Sequence, residues 1–171
     1  MTITIFAGHV APVVFAFTMV YAGLTDLTTM KIRNSLVLLF LLAYAVLAPV
    51  LGFAVYDIGW SAAVAAGVLV FTFGCFTFGW IGGGDAKLAA VIALWFGVDH
   101  TPIYLVYTAL LGGALSLAIL QFRSMTLPTF LPNNSWIARL HLQGSGIPYG
   151  VAMASAALVV FPQTRWMTSV Y

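Results

Sequence analysis

The sequence predicts an all-α polytopic membrane protein with six transmembrane helices and both termini outside. Three observations predict it. Of 171 residues, 63% are hydrophobic and only 6% charged, against roughly a quarter charged in soluble domains. The mean hydropathy is +1.07. Apolar runs, each close to the roughly 20 residues that cross a bilayer, alternate with short polar breaks along the whole chain. So few charges cannot clothe a water-soluble surface, which argues against a soluble enzyme or a disordered regulator. A net charge of +2 gives no ground for a nucleic-acid partner. One membrane-embedded domain over 1–171 is expected.

The first span is read over 4–24, closed by Gly23 and Asp26, and as a retained helix because the N-terminus carries no Lys or Arg. A polar loop, 27–35 (LTTMKIRNS), precedes span two, 36–56. The break Tyr56-Asp57-Ile58-Gly59 leads to span three, 60–80, and Ile81-Gly82-Gly83-Gly84-Asp85 leads to span four, 86–98. A turn at Val98-Asp99-His100-Thr101-Pro102 precedes span five, 103–121. The longest polar stretch, 122–146, contains Pro128, Pro132, Asn133, Asn134 and Gly144. Within it, 134–142 reads as a short interfacial helix with Trp136, Ile137 and Leu140 on one face, or as a gating flap. Span six covers 147–163. The runs are apolar all round, as lipid requires of helices, without the alternation of a membrane barrel. Small pairs at four-residue spacing (Ala63 and Gly67, Ala109 and Gly113, Gly112 and Ser116, Ala152 and Ala156) mark expected helix contacts.

Orientation follows from the basic residues. Lys31, Arg33, Lys87, Arg123 and Arg139 fall after odd-numbered spans, and only Arg165 falls on the other side. The odd-numbered loops are therefore expected to face the cytoplasm. Cys75 is a lone cysteine, which excludes an internal disulfide and a zinc ribbon. His9, His100 and His141 are scattered, so no metal site is expected, and no cofactor.

All four carboxylate side chains are aspartates. Asp57 and Asp99 lie in apparent turns beside Gly59 and Pro102, where Asp bonds nearby backbone N–H groups. Asp26 and Asp85 fall at the cytoplasmic side. The run from Asp85 to Val98 covers about 21 Å as a helix, short of a hydrocarbon core about 30 Å thick, so Asp85 is expected below the surface. A carboxylate at that depth is by default functional. Gly82, Gly83 and Gly84 would allow close backbone approach, or would merely break a helix before a capping Asp. Asp26 has the same alternative of a cap or turn. Two carboxylates brought together at low dielectric do not both ionise easily. One can hold a proton while the other accepts one from water, which is the chemistry of aspartic peptidases.

Asp26-Leu27-Thr28-Thr29-Met30-Lys31-Ile32-Arg33-Asn34 resembles the first-aspartate motif of the type IV prepilin leader peptidases. Gly82-Gly83-Gly84-Asp85-Ala86-Lys87 resembles their GxGD motif with its following lysine, and Ile147-Pro148-Tyr149-Gly150 resembles a segment opening their last helix. The resemblance, closest to the short CpaA/TadV-like members tied to Flp-type pili, implies a membrane aspartic endopeptidase of the bacterial inner membrane. Asp26 and Asp85 would be its catalytic pair. Its partners would be a prepilin, with a basic leader before an apolar helix, and membrane lipid. Arg33 stands where the family commonly has proline. The cysteine-rich segment of the long members is absent, so no zinc site and no N-methylation are expected. The presenilin-like peptidases share GxGD, but their nine helices do not fit 171 residues.

Several supporting residues carry two readings. Lys87 could act on a carboxylate or substrate, or extend to the interface. Asn34 could bond near Asp26 or cap span two. Lys31 and Arg33 read as topology determinants rather than substrate ligands, and Pro148 and Tyr149 as fixing the start of span six. Two other functions compete: a small proton- or ion-coupled transporter using the same aspartates, and a non-catalytic pilus-assembly subunit.

Overall fold

The computed structural model describes residues 2–125, 136–142 and 144–168. Among them the regular elements are all helical: α1 (Thr2–Thr29), α2 (Asn34–Val50), α3 (Val55–Thr77), α4 (Gly83–Ser124), α5 (Trp136–His141), α6 (Tyr149–Val160), a 3-10 turn (Phe161–Gln163) and α7 (Arg165–Thr168). Three helices are long and apolar enough to cross a membrane, at Phe6–Thr29, Val55–Thr77 and Gly83–Ser124, and two shorter apolar helices accompany them.

The 42-residue α4 is not one rod. Gly97 has φ 64 and ψ −161, a region that essentially only glycine occupies. Across it, Thr101 Oγ1 donates to Ala93 O at 3.2 Å. Eight residues of straight helix would rise about 12 Å, so the chain folds sharply at Gly97. The first limb, 83–96, spans about 21 Å, and every residue from Leu88 to Phe96 is buried. This limb is the centre of the bundle. The turn expected at 98–102 is instead a break at one residue, because a glycine can make it without a loop.

The core near that break is aromatic. Phe40 stacks on Trp95 with ring centroids 4.8 Å apart, Trp95 meets Trp166 at 4.4 Å and Phe15 stacks on Phe161 at 3.9 Å. The indoles are not left unbonded: Trp166 Nε1 donates to Trp95 O at 2.7 Å and Trp95 Nε1 to Phe40 O at 3.3 Å. Such rings bury large apolar area, provided that their polar edge finds a partner. At the periphery, α3 buries only Val68 and Thr72, while Val70, Phe71 and Phe73 are exposed. In a membrane that face meets lipid.

Several boundaries differ from those expected. Gly23 and Asp26 do not close the first helix, which runs on to Thr29. Gly23 instead admits Ala154 of α6, whose Cβ would be 3.4 Å from a Cβ added there. The helix ends at Met30, in a left-handed conformation (φ 55) with its N–H bonded to Asp26 O at 2.8 Å. The break placed at 56–59 is the first part of α3. The real break is at Gly52 (φ 77), where Gly52 N bonds Pro49 O and Phe53 N bonds Ala48 O. Gly79 (φ 73) ends α3 in the same way, through Gly79 N to Phe76 O and Trp80 N to Cys75 O. Both are Schellman caps, which satisfy terminal carbonyls that lipid cannot.

Among the small pairs, Ala152, Ala156 and Gly112 are buried, but Ala63, Gly67, Ala109 and Gly113 are exposed. The latter face outward because α3 and the second limb of α4, 98–124, have no described helix on that side. The segment 126–135, with Pro128, Pro132, Asn133 and Asn134, lies outside the described residues. The helix expected over 134–142 is described only as α5, where Trp136 is exposed and Leu140 buried, so the two do not share an environment.

A β-carbon at Gly97 would fall 3.0 Å from Ser61 Oγ as well as straining φ. Gly97→Ala should therefore cost about 1–3 kcal/mol, read as a lower thermal midpoint in detergent. Gly113→Ala, with open space around it, should leave that midpoint unchanged or raise it.

Candidate active site

Asp26 sits one turn before the end of α1 and is 4% exposed. Its Oδ2 accepts a hydrogen bond of 2.7 Å from the Gly150 backbone N–H. Gly150 is the second residue of α6, where N–H groups have no partner within the helix. The carboxylate thus takes up an orphan donor and lies at the positive end of the α6 dipole. Only glycine fits there: a Cβ at 150 would be 2.8 Å from Asp26 Oδ2.

Asp85 is the third residue of α4, whose N-cap is Gly82. Its carboxylate accepts from the Gly82 backbone N–H, as the acidic residue of a capping box does. A Cβ at Gly82 would stand 3.0 Å from Asp85 Oδ2. Asp85 therefore closes the helix start from inside and is not itself the N-cap, the alternative expected for it. Asp26 and Asp85 are near enough for their charges to interact. Asp85 lines a cavity of about 440 Å³, with Gly82, Trp80, Arg123, Ser145 and Tyr149 among its other walls. Asp26 is not in that wall; it lies behind, against α6.

The two sequence motifs meet elsewhere as well. Gly84 lies against the backbone of Ile32, where a Cβ would be 3.2 Å from Ile32 O. Gly83 faces the Phe76 ring. Lys87 Nζ donates to Asn34 Oδ1 at 3.0 Å. Asn34 therefore neither reaches Asp26 nor caps α2; the N-cap is Arg33, without a side-chain cap bond. Lys87 is exposed and spends a donor on Asn34. Arg33 has φ −72 and ψ 136, angles that proline adopts, so the backbone keeps the geometry that the departure from proline had put in question.

Asp57 and Asp99 line a second cavity, of about 370 Å³, with His100, Tyr44 and Trp95. Asp57 lies in the first turn of α3 rather than in a loop, and it pairs with Arg165 at 2.5 Å. An exposed pair of this kind is worth about 0–1 kcal/mol.

Sequence reasoning missed three participants. Gly150 was read only as part of a helix opening. Gly112 was read as a packing residue, but it is a notch: a Cβ there would be 2.6 Å from the Tyr149 ring. Arg123 was read only as a topology charge. The signal available in each case was a lone glycine or basic residue at or near the end of an apolar run, and it did not specify a partner.

A model of the type IV leader peptidase family matches residues 13–117, a stretch that holds Asp26, Asn34, the three glycines, Asp85 and Lys87. Neither a curated protein nor a solved structure matches the chain.

Gly150→Ala should force Asp26 away from its donor and lower the thermal midpoint by an amount equivalent to about 1–3 kcal/mol, the usual cost of an unsatisfied buried polar group. Gly59→Ala, which meets nothing within 4 Å, is the control and should be nearly silent in the same melt.

Proposed function

The chain belongs to the type IV leader peptidase family, and from that premise we propose that it is an aspartic endopeptidase that removes the short basic leader of a prepilin. Asp26 and Asp85 are the pair that activates water. The observation that carries this is the meeting of the two motif segments, Gly84 against Ile32 and Lys87 on Asn34, with Asp85 on the wall of a cavity.

The chemistry follows from the pair. The ionised carboxylate takes a proton from a water molecule, whose oxygen adds to the scissile carbonyl carbon. The protonated carboxyl donates a hydrogen bond to the carbonyl oxygen as charge builds there. Collapse of the tetrahedral species breaks the C–N bond, and the leaving nitrogen receives a proton. The leader departs with a new carboxylate and the pilin with a free amine. The two aspartates titrate as a unit, so neither is assigned the proton. Gly82 leaves the cavity wall beside Asp85 without a side chain, which lets an extended substrate approach, while Gly83 and Gly84 make room for Phe76 and Ile32. Lys87 and Asn34 hold the two motif loops together.

The enzyme spans the bacterial inner membrane six times, with both termini outside. The fold at Gly97 supports that count, since it divides α4 into two limbs. The basic residues support the orientation. Lys87 contacts Asn34 at the start of α2, and Arg139 Nη1 donates to Thr28 O at 3.2 Å. These belong to the aspartate end of the bundle, whereas Arg165 pairs with Asp57 on the second cavity. Basic residues concentrate on the cytoplasmic side of membrane proteins, which puts the cleavage site there.

Co-expression with a small prepilin, scored by pilin size, tests the reading. Asp26→Asn and Asp85→Asn should each reduce leader removal by about 10²- to 10⁴-fold, the range for loss of a proton-transfer group, with the protein still present in membranes. Normal processing by both variants would overturn the assignment.

A further inference from the structure

Arg123 lies in the last turn of α4 and its guanidinium lines the Asp85 cavity. Its Nε and Nη2 reach the end of α5 and the segment before α6. Nε donates to Leu140 O at 2.8 Å, and Nη2 donates to Ser145 O and Ser145 Oγ at 2.8 Å and to Gly146 O at 3.0 Å. One side chain thus grips the chain at the end of α5 and again five residues later. Gly144 in between has φ 91, a conformation that glycine adopts without strain.

The residues just beyond this loop make the grip matter. Ile147 and the buried Pro148 lead at once into Tyr149, which fills the Gly112 notch, and into Gly150, whose N–H holds Asp26. Only three residues separate the last carbonyl held by Arg123 from the amide held by Asp26. The other bonds among the described residues there are local or lie at the end of α5: Ser145 N and Oγ bond Leu142 O, Tyr149 N bonds Ile147 O, and His141 Nε2 lies 2.7 Å from Met125 O.

We infer that Arg123 is a positioning residue for the active site: by clamping Ser145 and Gly146 against the end of α5 it sets where α6 begins, and so places the Gly150 N–H against Asp26. The role deepens the peptidase reading and rests on it for its kinetic consequence. A planar guanidinium is needed because the acceptors lie on two sides of it. A lysine ammonium is a point charge on a flexible stem and cannot reproduce the fork. Displacement of a reacting group by about 1 Å costs on the order of 10²-fold in rate.

The test compares wild type with Arg123→Lys and Ser145→Ala in detergent or nanodiscs, with two readouts. The first is leader cleavage of a purified prepilin. Arg123→Lys should lower kcat by about 10- to 100-fold, with KM within about threefold, as expected of a residue that acts through Gly150 and Asp26. Ser145→Ala, which removes one acceptor and leaves the backbone ones, should lower kcat about two- to fivefold on the same scale. The second readout is amide hydrogen exchange, which does not depend on proteolysis. Residues 144–150 should exchange about tenfold faster in Arg123→Lys, with α1 and α3 unchanged. Wild-type exchange in that segment overturns the clamp, even if the wild-type protein proves to cleave nothing. A raised KM at constant kcat assigns Arg123 to substrate contact and overturns it too. Faster exchange throughout the bundle shows a merely structural role and likewise refutes the positioning role. If Arg123→Lys fails to accumulate, Ser145→Ala decides by both readouts: normal kcat with normal exchange refutes the proposal.

Discussion

A buried carboxylate needs a donor, and in this bundle Asp26 finds one 124 residues away in sequence, at the Gly150 N–H. Much of the architecture at this end can be understood from that bond. It requires α6 to start beside the last turn of α1, it requires residue 150 to have no side chain, and it puts the N-terminal end of a helix dipole against a negative charge. The closeness of α1 and α6 at Gly23 and Ala154 keeps the two helices in register for it. A carboxylate in so apolar a chain would otherwise cost far more than the neighbouring contacts could offset.

The two ends of the bundle solve different problems. At the Gly97 end the core is a stack of aromatic rings, closed by indole-to-carbonyl bonds and by the Asp57–Arg165 pair. Its glycine, Gly97, supplies the bend in α4. At the aspartate end, glycines set the close contacts. Gly82, Gly83, Gly84, Gly112 and Gly150 each admit a neighbour that a β-carbon would crowd. Small residues there bring backbone and carboxylates together, which catalysis by paired acids requires. The stable aromatic end can then carry a polar end whose hydrogen bonds come from loops.

Those loops are linked rather than independent. The loop after α1 touches α4 through Ile32 and Gly84, and the start of α2 does so through Asn34 and Lys87. The segment before α6 is tied to α4 by Arg123 and, through α5, to the end of α1 by Arg139. Each aspartate is therefore held by its own helix end and also by a neighbour's loop.

The amino-acid order by itself determined the class of the protein, the rough number and place of its apolar helices, and which two of four aspartates to suspect. The physical reason is that lipid imposes composition locally: a run of apolar residues is legible without its neighbours, and a charge inside one stands out. The motifs around Asp26 and Asp85 were legible for the same reason. Tertiary structure alone decided that the first helix passes through Gly23 and Asp26, that α3 begins before Asp57, and that α4 breaks at Gly97 instead of over five residues. It also decided the partners. Gly150 for Asp26, Asn34 for Lys87, Tyr149 for Gly112, and Leu140, Ser145 and Gly146 for Arg123 are pairings across 17 to 124 residues. No local pattern encodes such pairs, since they depend on which helix ends the packed bundle brings side by side.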